Sequence, residues 1–166
     1  MTLSLVIIGL GNHTKNKLIP TLEELTIPIK GIVSQSKISS YKNIKVYKNV
    51  ESVLQLHKIT HVIISTIPTN QIKYIKKLAT RNVKIFIEKP AFIRSLDLYS
   101  VKKLISDYSL LTEGMMYRFG EGFNFFNKSL ENIKDNNFEI SLDFILPNTD
   151  GIFPHSFRQD THIKNS

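Results

Sequence analysis

The segment Lys84-Ile-Phe-Ile-Glu-Lys-Pro90 places the tightest limit on how this chain can fold. A short apolar run rich in β-branched and aromatic residues reads as a buried strand, and this one stops at an acid, a base and a proline. Proline has no N–H to give to a ladder. Glu88, Lys89 and Pro90 are therefore expected at the carboxyl end of the strand, where open α/β sheets hold their ligands. A charged pair there is placed for chemistry, and a cis Lys89–Pro90 bond would hold the Lys89 carbonyl and side chain in a tight turn. The plainer reading, a buried strand followed by a surface turn, accounts for Glu88 and Lys89 singly.

Upstream, Leu3 to Ile8 reads as a first strand running into Gly9-Leu10-Gly11-Asn12-His13-Thr14. Gly9 and Gly11 allow a tight turn and close approach of the backbone to a pyrophosphate, which would rest on the N–H groups of the next helix. That helix carries Leu18, Leu22 and Leu25 on one stripe, so strand, glycine turn and helix arrive in the required order. Thr14 stands where a third glycine is usual. It is expected either to hold the helix farther from the strand or to put a hydroxyl near a phosphate. Pro20 is expected to kink the helix. Asn12 and His13 belong to the turn, and a lone histidine there reads first as an exposed or capping residue.

Ile29 to Val33 reads as the second strand, followed by Ser34-Gln35-Ser36-Lys37. An NAD enzyme usually presents an acid to the ribose hydroxyls just here. None is present. Ser34, Ser36 and Lys37 can instead donate to a 2′-phosphate, which favours NADP with NAD as the alternative. A simple polar turn competes with that reading. Ile44 to Tyr47 reads as the third strand, and Asn49 as cap of a helix holding Val50, Val53, Leu54 and His57. His57 and His61 are four apart, but a strand begins at His61, so helical metal spacing is not available and no metal site is expected. The fourth strand, His61 to Ser65, leads into Thr66-Ile67-Pro68-Thr69. Thr69 can cap a helix with Ile72, Ile75, Leu78 and Ala79 inward.

Beyond Pro90, Ser95 reads as cap of a helix with the stripe Leu98, Val101, Leu104, Ile105 and Tyr108. Leu110 to Thr112 opens a sixth strand that delivers Tyr117-Arg118-Phe119. Phe123, Phe126, Leu130 and Ile133 then fall at helical spacing, and Ile140, Leu142, Phe144 and Leu146 alternate like a half-buried strand.

A chain of 166 residues without cysteine has no disulfide, thiolate metal site or cysteine nucleophile. Its first apolar run lacks a basic leader and a cleavage site, and no span approaches membrane length, so a cytoplasmic protein without membrane contact is expected. The formal charge of +8 is spread among lysines interleaved with apolar residues. That reads as a solvated surface and not a nucleic-acid footprint, and it favours an anionic cofactor.

The ordered set of Gly9-x-Gly11, Thr66-Ile67-Pro68, Glu88-Lys89-Pro90 and Tyr117-Arg118-Phe119 resembles the Gfo/Idh/MocA family of nicotinamide-dependent oxidoreductases. The resemblance implies a doubly wound parallel Rossmann sheet over residues 1–116 and an incomplete α+β extension, the start of a substrate and oligomerisation domain, over 117–166. It implies hydride transfer on a sugar-like or polyol-like substrate. Lys89 would be the catalytic proton donor or carbonyl polariser, with Glu88 orienting it. Thr66 and Pro68 would lie beside the riboses, and Ser-x-Ser with a base after the second strand usually accompanies NADP. Arg118 would contact substrate or pair with an acid at the domain edge. Two features depart from the pattern. Gln71 and Ile72 occupy the place where members often carry a histidine, and neither His155 nor His162 sits in the motif of the catalytic histidine. A cofactor-binding remnant without turnover is therefore the alternative, and the strand at 140–146 is expected to seek a partner, giving a homo-oligomer.

Overall fold

A computed structural model describes residues 3–56, 58–105, 110–115 and 119–131. The chain divides into two compact units, residues 1–124 and 125–166. The proposed strand at 140–146, Arg118, His57, His155 and His162 lie outside the described residues.

The first unit is built on a seven-stranded sheet in the order β3-β4-β2-β1-β5-β6-β7. Its strands are β1 (Leu5–Ile8), β2 (Ile29–Val33), β3 (Ser40–Tyr41), β4 (Ile44–Tyr47), β5 (His61–Ile64), β6 (Lys84–Ile87) and β7 (Leu111–Glu113). All neighbouring pairs are parallel except β3 with β4. The expected parallel doubly wound sheet is therefore present. The antiparallel edge was not expected from sequence. β3 and β4 are joined by Lys42 and Asn43, both with positive φ (48° and 63°). That is the turn geometry which matches hairpin twist, here without the glycine that usually announces it.

β1 lies between β2 and β5, so the chain winds outward in one direction to β4 and then in the other to β7. Side chains on β1 alternate between two apolar layers. Val6 and Ile8 join residues of α2 (Val50–Leu56), α3 (Pro68–Leu78) and α4 (Ser95–Lys102), while Leu5 and Ile7 pack with Ile19 and Leu22 of α1 (Ile19–Glu24). Ile7, Ile8, Ile64, Ile75, Leu78 and Ile87 are fully enclosed. Burying each such side chain contributes about 1.5–3 kcal/mol before conformational entropy is subtracted.

The expected stripe Leu18, Leu22, Leu25 is corrected. Residues Thr14–Leu18 form a π-helical turn, and the Ile19 N–H donates to the Thr14 carbonyl five residues back. The extra residue rotates the rest of the helix, so Ile19 and Leu22 face inward while Leu25 is 60% exposed. Pro20 enters at the first turn of α1, where its missing N–H is tolerated. The expected break thus takes the form of a change in helical register.

Two helix starts also differ from expectation. Ile67, extended at φ −60° and ψ 144°, precedes α3, with Pro68 in its first turn and Thr69 already helical. Arg94 precedes α4, and Ser95 is the first helical residue. Arg94 forks onto Asp97 with bonds of 3.0 and 2.9 Å, supplying a local closure in place of a serine cap. In α4 only Val101 is buried, Ile105 follows the helix and is also buried, and Leu98 and Leu104 are exposed. Asn49 does cap α2, accepting from the Ser52 N–H at 2.8 Å. α5 (Glu121–Glu131) begins in the first unit and continues into the second, and none of its residues is buried.

Candidate dinucleotide site

Each parallel strand hands its last hydrogen bond to the segment that follows its neighbour. Gly9 N–H donates to Val33 O (2.8 Å), Ser34 N–H to Tyr47 O (2.9 Å), Ser65 N–H to Ile8 O (2.8 Å), Glu88 N–H to Ile64 O (3.0 Å) and Gly114 N–H to Ile87 O (2.8 Å). The carboxyl edge therefore presents the glycine turn, the Ser34 loop, the Ser65–Thr69 turn and the Glu88-Lys89-Pro90 segment side by side. The winding direction reverses between β1 and β5, which is the switch point where open α/β sheets bind ligands.

Gly9 and Gly11 do different work. Gly9 has φ +110°, and a Cβ there would stand 2.1 Å from the Ser65 carbonyl oxygen, so this glycine permits the close approach of two backbone segments. At Gly11 a Cβ would meet nothing within 4 Å. The open space beside an exposed glycine fits a phosphate group that must approach the backbone closely.

Thr14 is fully buried, and its hydroxyl donates to Ser65 Oγ at 3.1 Å. The hydroxyl is directed into the protein, and Thr14 opens the π-helical turn. His13 shows no capping bond from its side chain. Its Nε2 lies 3.1 Å from Glu88 Oε1, with side-chain exposures of 48% and 20%. This pair joins the glycine turn to the signature segment across the edges of β1, β5 and β6. His13, Glu88, Phe86, Gly114 and Phe119 line a cavity of about 160 Å³. A larger apolar cavity, about 430 Å³, is formed by Leu3, Leu5, Leu22, Ile27, His61 and Lys84 among others. It includes the starts of β5 and β6, at the other end of the strands, and carries none of the candidate site residues.

Lys89 and Pro90 are exposed, and the bond between them is cis. Glu113 Oε1 accepts from the Ala91 N–H at 2.8 Å, tying the chain after Pro90 to β7. Thr66 and Pro68 flank the entry to α3. The residue that sequence reasoning missed is Gln71, which is 1% exposed. Its Nε2 donates to the Thr66 carbonyl at 3.2 Å and to the Glu88 carbonyl at 3.0 Å, so one buried amide ties the two turns together. The signal was available in principle: a lone polar residue on the inward face of a helix needs buried partners.

At the Ser34 loop, Ser34 Oγ accepts from the Ser36 N–H at 3.1 Å. Ser36 Oγ is buried without a protein partner. An orphaned hydroxyl of this kind costs about 1–3 kcal/mol, and it lies in the loop that follows β2. Lys37 is exposed beside it. Lys48, at the end of β4, donates from Nζ to the Ser36 carbonyl, and Gln35 Nε2 donates to the Lys48 carbonyl at 2.6 Å. The open glycine, the orphaned hydroxyl and the cationic loop together suit an elongated anionic cofactor. Among the described residues no group of three or more His, Asp or Glu side chains could hold a metal, and no helix is long and apolar enough to cross a membrane.

Comparison with solved structures places the fold among dehydrogenases. Myo-inositol 2-dehydrogenase from Lactobacillus plantarum aligns with TM-score 0.68 at 16% identity, over 80% of this chain and 42% of that one. Scyllo-inositol dehydrogenase from Lactobacillus casei, solved with NAD(H) and scyllo-inositol, aligns with TM-score 0.68 at 16% identity over 79% and 41%. D-galactose-1-dehydrogenase from Rhizobium etli aligns with TM-score 0.67 at 16% identity over 78% and 42%. The chain thus spans less than half the length of these proteins. No curated protein matches the sequence. The family described as an oxidoreductase family with an NAD-binding Rossmann fold matches residues 3–111, and this chain is accordingly a member of the Gfo/Idh/MocA oxidoreductase family.

Proposed function

We propose that the chain binds a nicotinamide dinucleotide along the carboxyl edge of its sheet and serves hydride transfer on a sugar-like or polyol-like substrate. The observation that carries this reading is the convergence of four turns, after β1, β2, β5 and β6, on one edge with Lys89 at its exposed end. Gly9, Gly11, Asn12 and His13 would hold the pyrophosphate side, and Thr66, Pro68 and Pro90 would flank the riboses. Lys89 would donate the proton that accompanies the hydride or polarise the substrate carbonyl, with Glu88 orienting it. A bound nicotinamide would exchange a hydride with the substrate carbon, and the protein would orient the two and move the accompanying proton. The names of the aligned inositol and galactose dehydrogenases support the substrate class.

Within this reading the cofactor is NADP in preference to NAD. Ser34, Ser36 and Lys37 stand after β2 without a carboxylate, and a carboxylate there would repel a 2′-phosphate. Arg118 would contact substrate or pair with an acid at the domain edge, and residues 140–146 are assigned to self-association. Titration of the protein with NADPH and NADH at one salt concentration, followed by turnover of a panel of polyols and aldoses with the oxidised cofactors, tests the proposal. Binding of either cofactor with turnover that Lys89→Ala lowers by about 10²–10⁴-fold is expected. Failure to bind either cofactor overturns it. Binding without turnover leaves a cofactor-binding protein and removes the catalytic role of Lys89.

A further inference from the structure

We infer that Lys48, at the end of β4, is a specificity-determining residue for a 2′-phosphorylated adenosine, acting with the Ser34–Lys37 loop. The inference rests on the dinucleotide reading above and deepens it. Three relationships carry it. The first is position in the sheet. The order β4-β2-β1 puts the carboxyl end of β4 one strand beyond that of β2, and two beyond the glycine turn. Adjacent strands are about 4.8 Å apart. A dinucleotide with its pyrophosphate at Gly11 and its adenosine ribose at Ser34 would direct a substituent on the ribose outward along the edge, toward β4.

The second relationship is how Lys48 is held. Its Nζ donates to the Ser36 carbonyl, its own carbonyl accepts from Gln35 Nε2 at 2.6 Å, and the preceding residue, Tyr47, accepts from the Ser34 N–H at 2.9 Å. The ammonium is thereby laid over the loop and not left to sweep through solvent. An ammonium has three protons, and one bond to a carbonyl leaves two for a phosphate oxygen.

The third relationship is charge. Among the described residues, the ion pairs are His13 with Glu88, Lys42 with Glu23, Lys77 with Glu51 and Arg94 with Asp97. None involves Lys37 or Lys48. Glu51, the acid nearest along the chain to Lys48, is already matched to Lys77. Two cations flank a loop that contains no carboxylate and buries one hydroxyl, Ser36 Oγ, without a partner. Such a loop repels nothing in a dianion and offers it charge-assisted donors from two strands. Sequence position alone would assign the phosphate to the loop after β2. Lys48 lies eleven residues beyond Lys37 and reaches the loop only because β4 is the neighbour of β2.

The test uses the full chain and two fragments of the cofactor, 2′,5′-ADP and 5′-AMP, which differ in the 2′-phosphate alone. Calorimetric affinities at fixed ionic strength are compared for the wild type, Lys48→Gln, Lys48→Arg and Lys37→Gln. The expected result is a wild-type preference for 2′,5′-ADP of tenfold or more. Lys48→Gln should cut that preference by about tenfold, and Lys48→Arg should retain it. A Lys48→Gln protein that keeps the wild-type preference overturns the inference while leaving the NADP reading intact. A wild type that binds both fragments equally overturns the NADP reading and the inference with it. Lys48 is exposed, so thermal unfolding of each variant should match the wild type, and the affinity ratio then reads the side chain and not the fold.

Discussion

His13 Nε2 lies 3.1 Å from Glu88 Oε1, a contact between residues 75 apart in sequence that joins the glycine turn after β1 to the acid after β6. The two strands are not neighbours, since β5 lies between them. The pair therefore spans the switch-point crevice. His13→Ala should free the Glu88 carboxylate and weaken dinucleotide binding by a few-fold, while His13→Gln, which can still donate to the carboxylate, should recover most of the loss. A half-exposed bond of this type is worth about 0.5–1.5 kcal/mol. Fluorescence titration with reduced cofactor measures it, and equal affinities for all three proteins would show that the contact plays no part in binding.

The two glycines of the turn should separate folding from binding. Gly9→Ala places a Cβ 2.1 Å from a backbone oxygen at φ +110°. It should cost more than about 2 kcal/mol of stability in urea denaturation. Gly11→Ala adds a methyl group to open space, so stability should stay within about 1 kcal/mol while dinucleotide affinity falls. Loss of affinity without loss of stability at Gly11 is the outcome that marks a ligand-approach glycine.

Gln71 is predicted to be a positioning residue. Gln71→Leu keeps the volume but leaves the Thr66 and Glu88 carbonyls without their amide donor. A stability loss of about 1–3 kcal/mol is expected. Hydrogen exchange should rise in the turn at 65–69 and at 88–90 together. Faster exchange in only one of the two turns would mean that the amide does not couple them.

Thr14→Val tests where that hydroxyl acts. Its bond goes to Ser65 Oγ inside the protein, so the isosteric change should cost about 0.5–1.5 kcal/mol of stability. Cofactor affinity should move by less than about twofold. A large drop in affinity at unchanged stability would instead put the Thr14 hydroxyl on a phosphate.

The sequence by itself determined the parallel strands and the edge on which the candidate site lies. Short β-branched runs closed by Gly-x-Gly, Thr-Ile-Pro and Glu-Lys-Pro leave little freedom. A buried parallel strand needs apolar residues on both faces, and the segment that follows it must turn. For that reason Ile29–Val33 and Ile44–Tyr47 were legible to the residue. Helix phase was less legible. A π turn at Thr14–Leu18 costs little locally, yet it moved Leu25 to the surface and Ile19 to the core.

Tertiary structure alone decided the side-chain pairings. His13 with Glu88, Thr14 with Ser65, Gln71 with two distant carbonyls and Lys48 with the Ser36 carbonyl all join segments that follow different strands. Local propensity acts over a turn or a few residues, so it specifies where a strand ends. Which ends become neighbours depends on the winding order of the sheet, and that order follows from packing both faces against helices.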